Sequence, residues 1–476
     1  MALRPGDSPW FFDMSRLMKL AIEHNATPGH ILGISLPFTP APYGLKGTHG
    51  IRYGPTCVWL DQVFLSFTNN LLTMTVIRTV LAALLTSVGL LWLTRLLRVR
   101  PWLAVIVMVS PWMWYYCREL WDNSLAIPLT ALMFAGYGQF LANRRAFPLC
   151  LAIVCATLTC LTHLMFVPFL AVLTLHLLIF EYRAVMKNIV PAALTFLVMV
   201  LVSLPYLRYA VTFHNTSGVS YMSRYGGWIF PLFDAQHITA RGVGFYDVED
   251  WHIIPAVLRY PFFAARIFTY VAFIACWAGM IMAVPRARAA LSRASQASYL
   301  DHLCLIGLAT FAFQTIFDGI EHVSYFPHYY NTTYIVYVMF AWMAFDALPR
   351  WFGEKSPVAL WLVPVYTACL VFCLGIITWQ LARNGGSKGD QYDAALSNQV
   401  AVATELNRFS PQSPIDMRVS YWNDRPDTLP VLRQLAPKPA GDLATRRLVV
   451  RFRDAFPGDA RIVVENYPLA TAVSQP

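Results

Sequence analysis

Met74-Thr-Val-Ile-Arg-Thr-Val-Leu-Ala-Ala-Leu-Leu-Thr-Ser-Val-Gly-Leu-Leu-Trp-Leu-Thr94 runs for 21 residues with one charge, Arg78. A helix crossing the hydrocarbon core of a bilayer needs about 20 apolar residues, so this stretch reads as a membrane span. Outward from it, further apolar runs lie at about 101–117, 123–142, 147–162, 164–181, 188–206, 264–284, 301–318, 329–348 and 357–382. The predicted fold is mainly α, a polytopic helical membrane bundle of about ten spans. Composition points the same way. The 476 residues are 57% hydrophobic and 13% charged, with a mean hydropathy of +0.49. A soluble domain carries roughly 25% charged residues.

Charge in the loops orients the bundle. One alternate set of loops holds Arg95, Arg98, Arg100, Arg144, Arg145, Arg183, Lys187, Arg286, Arg288, Arg293, Arg350 and Lys355, whereas the short loops of the other set hold Arg118 alone. Cytoplasmic loops carry the excess of Lys and Arg, which puts the first set in the cytoplasm. This also accounts for the net charge of +10 without a nucleic-acid partner. The predicted location is integral to a membrane, the bacterial inner membrane. Three regions then lie outside the cytoplasm: a first loop at 1–73, a loop at 207–262 within the bundle at 74–382, and a C-terminal domain at 383–476. The C-terminal domain reads as a small α/β unit. It has a helix near 391–408 and strands at Met417–Trp422, Arg447–Phe452 and Arg461–Asn466, where β-branched residues alternate. An external first loop predicts a leading span ahead of Met1 or, as the alternative, an N-terminus that crosses with its first span.

The nine cysteines lie mostly inside apolar runs and read as small buried hydrophobes. Cys57 and Cys117 fall in loops, where a disulfide and two free thiols are both open readings. No zinc-type spacing, phosphate-binding glycine loop or nucleophile elbow occurs.

Polar side chains at the outer face are the candidates for chemistry, because an ionisable group near a span is costly unless it has a partner or substrate. Asp7 and Asp13 precede a helix-like stretch from Asp13 to Asn25, where a carboxylate serves either as a helix cap or as a general base. Arg52-Tyr53-Gly54-Pro55 with Trp59 and Asp61 forms an aromatic, basic rim that suits a sugar or a membrane-interface belt. Arg78 sits about one turn inside its span, placed either to snorkel outward or to meet a phosphate. Arg118, Glu119, Asp122 and Asn123 crowd a short loop as a substrate site or a local ion pair. His163 lies between two spans as a structural or site residue. Glu321, His322, His328, Tyr329 and Tyr330 line the last external loop as a cavity wall or an aromatic belt. Asp247-Val248-Glu249-Asp250 reads as a solvated acidic loop or a cation site. Asn25 and Asn331 open glycosylation triplets.

The layout resembles the GT-C-type membrane glycosyltransferases, in the protein mannosyltransferase and aminoarabinose transferase branch. The likeness covers most of residues 7–350. It rests on Asp13-Met14-Ser15-Arg16-Leu17 with Ala21, which is similar to the acidic start of the family's first loop; Asp7 aligns there as an alternative. Arg52-Tyr53-Gly54-Pro55-Thr56-Cys57-Val58-Trp59-Leu60 resembles that loop's end. Arg78 is similar to the arginine opening the second family span. Ser110-Pro111 with Tyr115-Tyr116-Cys117-Arg118-Glu119-Leu120-Trp121 resembles the next loop, and His163 a residue at the following turn. His328-Tyr329-Tyr330 looks like the loop that closes over the lipid donor. Two features depart from the family: the leading span, and an acidic pair that Met14 and Ser8 interrupt.

The resemblance implies transfer of a sugar from a polyprenyl-phosphate donor to an acceptor hydroxyl outside the cytoplasm. Asp13 or Asp7 would be the base. Arg78, Arg118, Glu119, Asp122, Tyr53, His163, His328 and Tyr329 would bind substrate. No cofactor and no divalent metal are expected, and the partners are membrane lipid, the polyprenyl-phosphate sugar and an acceptor of open identity. Two other classes stay open: a lipid-linked glycan transporter or flippase, and a non-catalytic membrane scaffold.

Overall fold

A computed structural model describes residues 7–8, 10, 12–31, 34–46, 52–212, 254–292, 296–321, 327–387, 393–419, 422, 428–439, 443–455 and 459–469. Among the described residues seven helical runs are long and apolar enough to cross a membrane. They are α3 (Leu71–Leu97), α6 (Asn123–Asn143), α10 (Ile189–Thr212), the nearly continuous pair α11 (Ala256–Phe268) and α12 (Val271–Ser292), α13 (Tyr299–Glu321), α14 (Tyr334–Phe352) and α15 (Pro357–Asn384). Helix α6 is buried almost all round, α14 largely so, and the others turn much of their apolar surface outward. Leu84 and Val88 on α3, Leu194 and Phe196 on α10, and Leu360 and Trp361 on α15 are exposed. Soluble monomers rarely expose large contiguous apolar patches. The chain is a polytopic membrane protein whose central helices are sheathed by lipid-facing ones.

Helix α3 shows how local sequence sets an end. The Asn70 side chain accepts from the Leu72 and Thr73 backbone N–H groups at 2.9 and 3.1 Å, satisfying donors that a helix start leaves orphaned. The helix closes at Arg98 in the left-handed region, with φ 56°.

One expected crossing differs from the reading of one long helix, and the two short runs within 147–181 form a pair of helices meeting at a turn. The run at 101–117 is α4 (Leu103–Met108) and α5 (Pro111–Tyr116). Ser110 caps α5 by accepting from Met113 N, and Pro111 starts it, so the Ser-Pro pair forces a break inside an apolar window. The segment nevertheless runs end to end. Arg100 Nε meets Asp346 at 3.2 Å beside the close of α14, and Trp112 Nε1 meets Asn331 Oδ1 at 2.8 Å just before α14 begins. Helix α7 (Ala146–Cys160) has 15 residues, about 22 Å of rise, and α8 (Val167–Phe180) has 14. They meet at the turn around His163. Glu181 after α8 returns to Arg144 at 2.7 Å, between α6 and α7.

One end of the bundle carries the N-terminal segment. There α1 (Phe12–Asn25) packs on α2 (Thr56–Leu65), with a hairpin of β1 (Gly29–Ile31) and β2 (Ile34–Leu36) between them in sequence. A short helix α9 (Tyr182–Lys187) lies at the opposite end, which also holds Arg98, Arg100, Arg144 and Arg350. After α15 come the short strands β3 (Gly386–Ser387) and β4 (Asp393–Ala394), then α16 (Leu396–Leu406), β5 (Ile415–Met417), α17 (Thr428–Leu435), β6 (Arg447–Phe452) and β7 (Ile462–Tyr467). The sheet order is β5-β6-β7, parallel then antiparallel. Helix α16 packs against β7 and α17, and α17 against α1. Strand β6 lies at the predicted residues. The strand expected at Met417–Trp422 instead covers Ile415–Met417, where pairing with β6 sets its extent.

Of the two open readings for Cys57 and Cys117, the structure has two buried free thiols. Asn331 is fully buried and accepts from Trp112, which removes it as a glycosylation acceptor. The acidic loop at 247–250 and His322 lie outside the described residues.

Candidate functional site

The site is built from α2 upward. Cys57 and Asp61 are four residues apart on α2, so a helix places both on one face. That face meets α3 at Arg78. Arg78 Nη1 donates to Asp61 Oδ1 at 2.8 Å, Nη2 to Cys57 Sγ at 3.0 Å and to the Trp121 carbonyl at 2.6 Å, and Nε to Ser124 Oγ at 3.0 Å. Neither Arg78 nor Asp61 has any side-chain exposure. The guanidinium therefore does not snorkel. It ties α2, α3 and the start of α6 together, with three of its nitrogens engaged.

The 118–122 loop closes over this pair. Arg118 lies over the Trp114 ring, 4.1 Å from its centroid, a cation–π contact that a desolvated site strengthens. Glu119 and Asp122 are buried. Asp122 Oδ1 accepts from Asn123 N at 2.8 Å and caps α6. Burial pushes the Asp122 carboxyl up to about 8, with the Asp13 carboxylate adding to the rise and Arg78 opposing it. Burial likewise holds Glu119 well above the ordinary range, against a hydrogen bond from Tyr115 and the pull of Arg118 and Arg78. Asp61 is pushed up to about 6 by burial, opposed by Arg78. Three carboxyls and two arginines thus share one end of the bundle, and Asp13 on the first turn of α1 acts on the same cluster. Asp13 and Asp7 are both half-buried.

A second group adjoins the first. Tyr53 stacks on His163 with ring centroids 4.6 Å apart. Gly54 makes this approach: a Cβ there would stand 2.4 Å from the Leu161 backbone. Thr56 Oγ1 donates to the Leu158 carbonyl at 3.0 Å, which fixes α2 to the same turn. His163 accepts from Met165 N at 3.2 Å, and burial pushes its ring down to about 3, so it is neutral. His328 and Tyr329 fall in the 3-10 turn Pro327–Thr332, and Thr332 bonds the Met165 carbonyl at 3.2 Å. Their side chains are outside the described residues.

The structure thus gathers Arg78, Arg118, Glu119 and Asp122 with Asp13, sets Tyr53 and His163 alongside, and leaves Asp7 on the strand of chain leading to α1. Sequence reading overlooked Asp61 as the partner of Arg78, and the roles of Cys57 and Ser124. The signal available was the four-residue spacing of Cys57 and Asp61. Among the described residues no group of three or more His, Cys, Asp or Glu is placed to hold a metal ion.

No protein-family model matches the chain. No curated protein matches it either. In structure it is similar to ArnT from Cupriavidus metallidurans, crystallised with undecaprenyl phosphate, at a TM-score of 0.49 and 13% identity over 99% of this chain and 96% of that one.

Proposed function

We propose that this chain is a glycosyltransferase that moves a sugar from a polyprenyl-phosphate donor to an acceptor hydroxyl, on the extracytoplasmic side of a bacterial inner membrane. The observation that supports it most is the convergence of Arg78, Arg118, Asp61, Glu119 and Asp122 at one end of an apolar bundle, with the Asp13 carboxylate acting on Asp122. A lipid-borne phosphate needs this combination. Its tail stays among apolar helices while its head meets guanidinium groups, whose charge-assisted bonds to phosphate are stronger than neutral ones.

In this reading Asp13, or Asp7 in its place, accepts the proton of the acceptor hydroxyl. The acceptor oxygen attacks the anomeric carbon from the face opposite the phosphate. The new carbon–oxygen bond forms as the bond to the phosphate oxygen breaks, so the configuration inverts. Polyprenyl phosphate departs, its negative charge met by Arg118 and His328, while Arg78 holds the loop that carries Arg118. Tyr53, Tyr329 and His163 supply the aromatic and polar wall for the sugar. Because cations of the protein meet the leaving group, the reaction is expected to run without a divalent metal. Activity lost to a chelator and restored by a divalent ion would refute that part.

The test is transfer from a radiolabelled polyprenyl-phosphate sugar by the purified protein and its Asp13→Asn and Asp7→Asn variants. The expected result is a rate loss of roughly 10²- to 10⁴-fold in one of them. Unchanged turnover in both removes the base.

A second reading, a lipid-linked glycan transporter, gains from one observation. Inside the bundle, Tyr137 Oη lies 2.8 Å from His176 Nδ1, and His176 Nε2 lies 2.9 Å from His302 Nδ1. Movement of labelled donor across vesicles without any transfer would favour this reading.

A further inference from the structure

The segment that delivers Asp13 is held by the far end of the chain. Leu396 N, at the start of α16, donates to the Ser8 carbonyl at 2.9 Å. Gln399, one turn on, is fully buried. Its Nε2 donates to the Trp10 carbonyl at 2.9 Å and to the Ala394 carbonyl at 2.6 Å, and its Oε1 accepts from Trp422 Nε1 at 3.3 Å. Trp10 is itself buried and lies two residues ahead of α1. A buried amide is costly unless its bonds are made, and this one makes them to both ends of the chain. Helix α17 packs on α1, and so does α2, which carries Asp61 and Cys57.

We infer that Gln399 is a positioning residue: it anchors the entry to α1 so that Asp13 is held against the Arg78–Asp61 end of the bundle, which makes the C-terminal unit a wall of the site. The inference rests on the transferase reading for its consequence and on the hydrogen bonds alone for the anchor. Misplacing a reacting group by about 1 Å costs on the order of 10²-fold in rate. Loss of the anchor should therefore act on turnover, and leave donor binding by the arginines in place.

The experiment compares Gln399→Leu, which fills the volume without bonding, with Trp422→Phe, which removes one donor to Gln399 and leaves the Trp10 bond. Hydrogen exchange is followed at the amides of 12–25 and 396–406, and kcat and KM are measured for the polyprenyl-phosphate sugar. In Gln399→Leu, exchange at the helix-bonded amides of 16–19 in α1 should quicken at least about tenfold, and kcat should fall roughly 10- to 100-fold at unchanged donor KM. Residues 396–406 should stay protected, and Trp422→Phe should remain near wild type in both readouts. Unchanged exchange in α1, equal loss of protection in α16, or a rise in KM at constant kcat would overturn the inference. If the wild-type protein transfers no sugar, the function reading fails, and the exchange result still judges the anchor.

Discussion

Arg78 and Asp61 form an ion pair at 2.8 Å with neither side chain exposed. They come from α3 and α2, so the pair joins the first long apolar helix to the N-terminal segment. Removing either partner leaves the other charge buried and uncompensated, which costs about 3–5 kcal/mol. Arg78→Met and Asp61→Asn should each lose stability on that scale, and the double variant should lose much less than the two together. Unfolding of the purified protein in detergent, followed for all four species of the cycle, measures the coupling. Strict additivity would show that the pair is not a unit.

Asp122 gives a pH prediction. Its folded carboxyl is pushed up to about 8 by burial first and the Asp13 carboxylate second, whereas an unfolded aspartate titrates near 3.9. The folded state therefore binds the proton more tightly. Its contribution to stability is full below about pH 4 and is lost as pH rises toward 8. Asp122→Asn keeps the Oδ1 that accepts from Asn123 N and never ionises. This variant should melt at higher temperature than wild type near pH 8, and the gap should close as pH falls toward 4. Melting curves at constant ionic strength check it; a gap independent of pH would rule out the raised carboxyl.

The long elements were readable because each states its structure locally. The apolar run from Met74 to Thr94 is helical throughout, the Asp13–Asn25 face periodicity gave α1, and β-branched alternation gave β6. What stayed hidden depended on partners far away in sequence or on a few residues inside a long average. Ser110-Pro111 splits a run whose overall apolarity suggests a single helix. Asp61 looked like part of a rim because its partner lies on another helix, 17 residues on. Tyr137, His176 and His302 meet from α6, α8 and α13, which no local pattern announces. Within the candidate site the crowding of Arg118, Glu119 and Asp122 was visible in their adjacency. The inward turn of Arg78 was not, since length and charge allow either direction.

Gly54 offers a test of the second group. A Cβ at this position would overlap the Leu161 backbone, with Cα and the carbonyl oxygen both 2.4 Å away. Backbone cannot swing aside as a side-chain tip can, so Gly54→Ala must move the 52–56 turn off the 158–163 turn. Overpacking of this kind costs about 1–3 kcal/mol. The Tyr53–His163 stack and the Thr56–Leu158 bond should both open, and donor KM should rise in the transfer assay if that wall holds the sugar. A Gly54→Ala protein with wild-type melting and KM would mean that the turns are not closely apposed.

Cys57 closes the set, because its chemistry separates two pictures of this end of the molecule. A disulfide to Cys117 would cross-link α2 to the loop before α6. The structure instead gives Cys57 to Arg78 as an acceptor at 3.0 Å and to the Trp121 carbonyl as a donor at 3.5 Å. Burial pushes its thiol up to about 12, although Arg78 pulls it down, so the thiolate that reacts with electrophiles is absent at working pH. Native protein at pH 8 should leave Cys57 unlabelled by maleimide, and the same protein in denaturing detergent should label without prior reduction. Cys57→Ser keeps an acceptor for Arg78 and should be tolerated, while Cys57→Ala leaves a buried guanidinium N–H without that acceptor and should be destabilised by about 1–3 kcal/mol. Labelling that requires reductant even after denaturation would establish the disulfide and undo the Arg78 cradle.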